Sequence, residues 1–245
     1  MIKKIAKKLL GKKAGTQNEA TRLKWLESTL LKIPNGSRIL DAGAGELKQQ
    51  KYCAHLNYVS QDFGQYDGIG DGKGLQTEKW DNTKLDIICD IKEIPEPDSS
   101  FDAIMCVEVF EHLPDPIAAI TEFSRLLKKD GFLVLTAPFC SLTHFAPYHF
   151  YTGFNRYFYE KHLIDNGFEI IEISANGNFF EFVAQELMRV QFCAEEYSKS
   201  KISLIDKLAI TWMTIKLGKL SRRDAGSNEL LNFGLHILAK KLPSL

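Results

Sequence analysis

The chain has 245 residues, of which 44% are hydrophobic and 25% are charged, and its 31 lysines and arginines balance 31 aspartates and glutamates. Residues 1–13 contain six lysines and no acidic residue, so the rest of the chain carries a net charge of −6. This composition excludes an intrinsically disordered or collagen-like chain. Because the positive charge is concentrated at one end, it also excludes a broadly basic nucleic-acid-binding body.

The cysteines and the apolar runs indicate a cytoplasmic protein. Five cysteines occur without a C-x-x-C pair, mostly within apolar runs such as residues 104–110, which predicts reduced, buried thiols and no structural zinc site. Lysines interrupt the apolar residues of the N-terminus, unlike in a secretory signal. The apolar stretch 208–215 is shorter than the roughly 20 residues of a spanning helix, so we expect no membrane span.

The predicted elements begin with two amphipathic helices. Apolar residues recur at helical spacing among the lysines of 2–13, which predicts a basic amphipathic helix. Two roles remain open for it: an arm that is solvated or packed on the body, or peripheral contact with the inner face of a membrane. Residues 18–32 predict a second helix, which ends at Pro34-Asn35-Gly36.

Short apolar runs then alternate with helical patterns. Strands are predicted at 37–41, 56–61, 85–89, 101–107, 131–137, 168–174 and 232–240, with helices at 117–128 and 158–166. This alternation predicts an α/β fold with a mostly parallel, doubly wound sheet. Two further helices, 179–197 and 202–220, are predicted before the last strand.

The chain therefore divides into four predicted regions. Residues 1–32 form a basic N-terminal arm and helix, and 33–174 form the α/β core that binds the ligand. Residues 175–231 form a helical insertion that serves as a lid, a dimer contact or a membrane contact, and 232–245 contain the last core strand and the C-terminus.

A glycine loop follows the first predicted strand, in the stretch ILDAGAGE of residues 39–46, and precedes a predicted helix. Glycines at this point let the backbone approach a ligand and present amide groups to it. The dinucleotide fingerprint G-x-G-x-x-G requires a third glycine where the chain has Lys48, so an NAD enzyme is disfavoured.

Acidic residues end the next two predicted strands. Asp62 follows Asp41 by 21 residues, where a carboxylate can bind both hydroxyls of a ribose. Asp90 is followed by Ile91, a polar and apolar pair that suits the amino edge and the ring face of an adenine.

These motifs resemble the class I methyltransferases that use S-adenosylmethionine (SAM), in particular the subgroup of type 11 that includes ubiquinone and small-molecule methyltransferases. The resemblance runs from about residue 38 to residue 174 and rests on ILDAGAGE, the strand end at Asp62, DIKEIPEPDSSFDAIMCVEVFEHLPDP, LLKKDGFLVLTAPF and LIDNGFEIIEI. It implies a seven-stranded, Rossmann-like methyltransferase sheet, with SAM as cofactor and S-adenosylhomocysteine as product.

The resemblance also implies where SAM binds: its methionine part at the glycine loop, its ribose at Asp62 and its adenine at Asp90 and Ile91. The implied cofactor-binding residues are Asp41, Ala42, Gly43, Ala44, Gly45, Asp62, Phe63, Asp90, Ile91 and Glu108. The family often has a glycine at about position 47, where this chain has Leu47, so the detailed shape of the loop is left open.

Glu108, Glu111 and His112 follow the fourth predicted strand and would share one face of a helical turn. Such ligands favour Mg²⁺ or Mn²⁺ over zinc, and the pattern resembles the metal site of SAM-dependent O-methyltransferases that act on RNA 3′ ends and quinone precursors. A fourth ligand would come from His149 or His144. The alternatives are a pocket histidine without metal, or a structural hydrogen-bonding role.

Residues 143–159 are rich in aromatic side chains, which predicts either a packed loop or a wall of the acceptor pocket. The run loosely resembles loops of bacterial methyltransferases from surface-polysaccharide and other glycan pathways, which implies sugar acceptors. Methyl transfer to a hydroxyl needs a base, for which His112 and His149 are the candidates, with Glu111 as a third catalytic residue.

The strand end at residues 107–110 lacks the N-P-P-Y pattern of amino-group methyltransferases, which favours oxygen as the acceptor atom. We therefore expect an O-methyltransferase of a small molecule, most of all a sugar or glycan precursor, with no nucleic-acid partner. One alternative is a membrane-associated, metal-dependent enzyme for a quinone or a lipid-linked acceptor. Another is a non-enzymatic binding or regulatory module with the same fold. The sequence leaves the oligomeric state undefined.

Overall fold

The computed structural model describes residues 13–243. The helix predicted at 2–13 lies outside the described residues except for Lys13, so its predicted membrane role stays a prediction. The described residues form two units: 23–174 together with 234–243, and 13–22 together with 175–233. The predicted boundary between the N-terminal region and the α/β core lies after residue 32. In the structure, Leu26 and Leu30 already belong to the sheet unit, and both are fully buried against the sheet.

Seven strands form one sheet in the order β3-β2-β1-β4-β5-β7-β6. The strands are β1 (Arg38–Ala42), β2 (Asn57–Asp62), β3 (Ile87–Ile88), β4 (Phe101–Val107), β5 (Leu127–Pro138), β6 (Phe168–Asn176) and β7 (Gly234–Lys241). β1 pairs in parallel with β2 and β4, and β7 pairs antiparallel with β5. This mixed, doubly wound sheet with flanking helices confirms the predicted α/β fold.

Five α-helices accompany the sheet in the described part of the chain. They are α1 (Asn18–Leu30), α2 (Pro116–Leu126), α3 (Arg156–Asp165), α4 (Phe179–Tyr197) and α5 (Leu204–Ser221). The caps explain several boundaries: Asp115 accepts a hydrogen bond from the backbone of Ala118, and Asn155 accepts one from Phe158. Within the described range, no helix has the length and apolar character that crossing a bilayer requires.

Three local expectations are wrong. The helix predicted after the glycine loop is a series of turns with one 3₁₀ turn at Gln50–Tyr52, because Gly45 and Leu47 both adopt positive φ, which a helix excludes. The third strand is only two residues long. Cys140 and Cys193 are exposed instead of buried.

The core of the sheet unit is apolar on the face that α1 covers. Its buried members are Leu26, Leu30, Ile33, Ile39, Cys53, Leu56, Ala103, Met105, Val134 and Leu238. The central strands are almost continuously apolar because both faces of a doubly wound sheet are covered. This packing fixes the carboxyl ends of β1, β2 and β4 close together, and the polar residues of the site follow those ends.

Candidate cofactor and catalytic site

A cavity of about 490 Å³ opens at the carboxyl ends of β1, β2 and β4. Seven of the residues singled out in the sequence line it: Gly43, Asp62, Phe63, Asp90, Ile91, Glu108 and His112. Asp41, Ala42, Ala44, Gly45, Glu111 and His149 lie outside its lining. Parallel strands thus bring together acidic residues that are up to 46 positions apart in the chain, as the fold predicts for a ligand site at this edge of the sheet.

The glycine loop is held close to the loop after β4. Gly43 has a φ of +80°, and a Cβ atom at this position would lie 2.4 Å from Cγ2 of Val109. Only glycine fits both requirements. The amides of Gly43 and Ala44 donate to the carbonyl of Gln61 at 2.8 and 2.9 Å. These two N–H groups are therefore engaged within the chain, whereas the sequence analysis had predicted that the loop presents its amides to a ligand.

Asp62 connects the end of β2 to this loop. Its Oδ2 accepts the N–H of Gly45 at 3.0 Å, and its Oδ1 accepts the N–H of Gly64 at 2.9 Å. Burial raises the pKa of Asp62 above its ordinary value, although both hydrogen bonds act in the opposite direction. A carboxylate oxygen can accept more than one hydrogen bond, so Asp62 can also accept a hydroxyl donor.

Asp41 is buried next to the cavity instead of lining it. Its side chain accepts the hydroxyl of Tyr58 at 2.6 Å, and burial raises its pKa from 3.8 to about 7, with a further contribution from the charge of Asp62. Direct contact between Asp41 and a ligand therefore stays a prediction, while the hydrogen bond shows a role in joining β1 to β2.

The cavity lining also includes the polar and apolar pair that was predicted to contact an adenine. Ile91 is 7% exposed, and Asp90 carries its carboxylate at the surface beside Lys92, at 3.2 Å from its Nζ. Ile88 and Cys89 add apolar surface to the same wall. A flat ring packed on these side chains would have Asp90 at its edge.

Glu108 occupies a strained position after β4. Its φ of +56° is uncommon for a residue with a side chain, and such positions concentrate at functional sites. Its amide donates to the carbonyl of Thr136 at 2.8 Å, and the hydroxyl of Thr136 donates to its Oε1 at 2.9 Å. These bonds hold the carboxylate at the wall of the cavity.

Glu111, His112 and His144 bring one carboxylate oxygen and two ring nitrogens within 4.8 Å of one another. Oε1 of Glu111 lies 3.6 Å from Nε2 of His112 and 3.7 Å from Nε2 of His144. Glu111 is 1% exposed. Among the described residues, its Oε2 and the Nε2 of His112 are buried without a hydrogen-bond partner. Two buried polar atoms without a partner in one cluster are atoms to which a water molecule or a cation could bind.

The hydrogen bonds of the two imidazoles fix their orientation. Nδ1 of His112 lies 2.5 Å from the carbonyl of Tyr148, and Nδ1 of His144 lies 2.8 Å from that of Leu142. Each Nδ1 must donate a proton to its carbonyl, so in the neutral ring each Nε2 carries a lone pair. This is the arrangement that metal-binding histidines adopt.

Burial dominates the pKa values of this cluster. Burial raises the pKa of Glu111, and burial together with His144 lowers the pKa of His112 to about 3. Burial lowers the pKa of His144 as well, but the contact with Glu111 and the hydrogen bond to Leu142 outweigh burial, so the net shift of this pKa is upward. Without a cation, the raised pKa values of Glu111 and His144 both favour a proton held by this pair.

The cluster differs from the ligand set that the sequence favoured. His144 takes part, whereas Glu108 and His149 lie outside it, and the predicted shared helical face is a 3₁₀ turn at Phe110–His112. His149 instead faces Ser141, with its Nε2 3.2 Å from the hydroxyl. Two imidazoles and one carboxylate favour Mn²⁺, Fe²⁺, Co²⁺ or Zn²⁺ over Mg²⁺.

Sequence reasoning missed one wall of the cavity. Tyr66 and Trp80, from the long loop after β2, meet Phe145 and Tyr148 of the aromatic run, with Tyr66 stacked on Phe145 at 4.8 Å. Trp80 also covers Gly45, where a Cβ would lie 3.0 Å from its ring. The loop has no hydrophobic periodicity, and the only signal was its combination of glycines with aromatic residues.

Comparisons with known proteins find similarity over the residues of the sheet. Residues 40–135 match the family model described as a methyltransferase domain. The ubiquinone biosynthesis O-methyltransferase of Dechloromonas aromatica is 29% identical over 119 residues, 47% of this chain and 49% of that protein. The one of Xanthomonas oryzae pv. oryzae is 32% identical over 104 residues, 41% of this chain and 43% of that protein. The chain thus spans about half the length of the curated relatives it matches.

The fold is also that of a solved SAM-dependent methyltransferase from Archaeoglobus fulgidus. The two chains superpose with a TM-score of 0.53 at 18% identity, over 89% of this chain and 94% of the other. Residues 40–135 are therefore similar to a methyltransferase domain, and the sheet that contains them has the fold of the solved methyltransferase.

Proposed function

We propose that the protein transfers a methyl group from SAM to an oxygen atom of a small molecule. The observation that carries the proposal is one cavity whose lining includes Asp62, Asp90 with Ile91, and Glu108 with His112. The first three suit a nucleoside, and the last two lie where the domain would present a reacting group. When bound, SAM supplies an electrophilic methyl group on a positively charged sulfur.

The residues of the chain would bind and orient both molecules. The free lone pairs of Asp62 accept the two ribose hydroxyls, while Ile88 and Ile91 pack on the adenine. Aromatic side chains that line the same cavity would attract a cationic sulfur and exclude water from it. Because transfer is an in-line displacement, this positioning supplies much of the rate acceleration.

The proton of the acceptor hydroxyl needs a destination. Nδ1 of His112 is engaged by Tyr148, and its buried Nε2 faces Glu111, so proton acceptance by His112 requires the hydroxyl to enter the cluster of Glu111, His112 and His144. These three residues would equally hold a divalent cation, whose charge lowers the pKa of a coordinated hydroxyl. His149 remains the second candidate for the base.

For the acceptor we retain a sugar or glycan precursor as the first proposal, since aromatic faces beside carboxylates also suit a polyhydroxylated ring. A phenolic quinone precursor or a lipid-linked acceptor is the second. It is favoured by the two curated relatives, both ubiquinone biosynthesis O-methyltransferases, and by the apolar residues Leu113, Pro114 and Phe150 that line the cavity. No nucleic-acid acceptor is predicted.

A methyl-transfer screen with isotope-labelled SAM tests the proposal against nucleotide sugars, glycans and phenolic quinone precursors. Each acceptor is tested with Mg²⁺, with Mn²⁺ and with EDTA, and Asp62→Ala provides the inactive control. Labelled product that forms with the wild type but not with Asp62→Ala supports the proposal. Equal rates of methyl transfer in EDTA, Mg²⁺ and Mn²⁺ exclude a role for the cation. SAM binding without transfer to any acceptor would favour the binding or regulatory module, and absence of SAM binding would contradict the whole proposal.

A further inference from the structure

Helix α5 presents an apolar face to solvent. Leu204, Leu208, Trp212 and Ile215 recur at spacings of four, four and three residues, so they share one side of the helix. Their exposed fractions are 73%, 61%, 58% and 47%. The opposite side is the packed one, where Thr214, Leu217 and Gly218 are buried. We call the exposed side, which Ile205 extends, the outer face of α5.

Lysines accompany the outer face. Nζ of Lys216 lies 5.2 Å from the ring centre of Trp212, and Lys219 falls four residues after Ile215 on the same side of the helix. Residues 198–223 contain seven basic residues and one acidic residue, Asp206. That acid is engaged in the helix cap, where it accepts the backbone N–H of Ser203 at 2.9 Å.

A second basic segment joins the structure beside this helix. Ala14 is buried in a cluster with Ala184 and Leu217, and the N–H of Gly15 donates to Glu181 of α4 at 2.6 Å. Ala14 and Gly15 therefore lie next to α4 and α5, and in the sequence they directly follow the six lysines of residues 1–13. Residues 1–13 and 198–223 each carry a net charge of +6, together +12, and the remaining 206 residues carry −12.

We propose that the outer face of α5 lies on an anionic lipid surface. A helix in the plane of a membrane buries apolar and aromatic side chains among the headgroups while lysines reach the lipid phosphates. Clustered lysines add an attraction that neutral lipids do not offer. A second copy of the chain fits less well, because a two-fold contact through this face would oppose lysines and offer them no acidic partner. The inference does not depend on the methyl-transfer proposal.

Vesicle flotation with the full-length protein tests the inference. Phosphatidylcholine vesicles are compared with vesicles that also contain phosphatidylglycerol. The test variant is Leu208→Gln with Trp212→Gln, and the matched control is Tyr157→Gln with Ile164→Gln, two exposed apolar residues of α3. We expect the wild type and the control to float with the anionic vesicles and the test variant to partition about 10-fold more weakly or worse. Unchanged circular dichroism shows that the variants are folded.

Fluorescence provides a second measurement. Trp212 should shift to shorter wavelength on anionic vesicles, and Trp212→Phe should remove that change while Trp25 and Trp80 still report. Absence of flotation by the wild type, or equal loss in the control variant, would overturn the proposal. So would a dimer in light scattering that dissociates in the Leu208→Gln/Trp212→Gln variant without any vesicle binding, because a second copy would then cover the face.

Discussion

The N–H of Gly45 donates a hydrogen bond of 3.0 Å to Oδ2 of Asp62, so the residue placed for ribose binding also holds the glycine loop. The N–H of Gly64 donates to the other oxygen at 2.9 Å. Because both partners are backbone groups, the direction of the carboxylate is fixed before any ligand arrives. Such preorganisation reduces the entropy that binding would otherwise cost.

Replacing Asp62 with asparagine should therefore weaken both ligand binding and folding. The amide nitrogen of asparagine cannot accept a hydrogen bond, so the N–H of either Gly45 or Gly64 loses its acceptor. The ribose hydroxyls also lose a negatively charged acceptor. We expect SAM affinity to fall at least about 10-fold in calorimetry and the free energy of unfolding to fall by about 1–3 kcal/mol. Asp90→Asn, at a surface position, should leave the free energy of unfolding nearly unchanged. Unaltered SAM affinity in Asp62→Asn would refute the ribose assignment.

Substituting Gly43 by alanine introduces two separable costs. The new Cβ would lie 2.4 Å from Cγ2 of Val109, and the φ of +80° strains any residue other than glycine. We expect a loss of about 2–4 kcal/mol in the free energy of unfolding, measured by urea denaturation. Val109→Ala removes the collision but not the strain at the φ of residue 43. Gly43→Ala should therefore reduce the free energy of unfolding less in the Val109→Ala protein than in the wild type. Strict additivity would contradict the close approach.

The sequence predicted the sheet well because strand patterns and strand ends depend on local residues. Predicted strand β4 coincides with the observed one at Phe101–Val107, and Asp62 and Asp90 lie at the cavity as expected. The wall formed by Tyr66 and Trp80 with Phe145 could not be predicted in the same way. It depends on contact between two irregular loops separated by more than 60 residues, for which periodicity carries no information.

The same distinction explains the cluster of Glu111, His112 and His144. The first two residues were visible as a motif, but which later histidine completes the group depends on the path of the loop after β5. That loop is fixed by contacts such as the hydrogen bond from Phe145 to the carbonyl of Leu75 and by the bridge between Leu75 and His144. Long-range backbone pairing of this kind places His144 at Glu111 and leaves His149 with Ser141.

Asp41 should make stability depend on pH. Burial raises its pKa from 3.8 to about 7, so between these values the folded protein holds a proton that the unfolded chain releases. Stability without ligand should therefore fall as pH rises from 4 to 7, by at most about 4 kcal/mol from this residue, and then level off. Asp41→Asn, which can still accept the hydroxyl of Tyr58, should lack this component. Urea denaturation of both proteins at several pH values measures it, and parallel curves would contradict the burial of a titrating carboxyl.

A divalent cation should bind the cluster of Glu111, His112 and His144 and depend on each member. We expect Mn²⁺ or Zn²⁺ to raise the unfolding temperature of the wild type, and Glu111→Gln or His144→Ala to weaken metal affinity by at least about 10-fold in calorimetry. His149→Ala is the matched control, because the ring of His149 lies near His144 but outside the cluster. The metal affinity of this variant should equal that of the wild type. Affinity should fall as pH falls because protons compete for the same lone pairs. Two outcomes would contradict this prediction: an equal loss of metal affinity in His149→Ala and His144→Ala, or an affinity that none of these substitutions alters. Either would show that the cation binds elsewhere and that the cluster holds a proton between Glu111 and His144 instead.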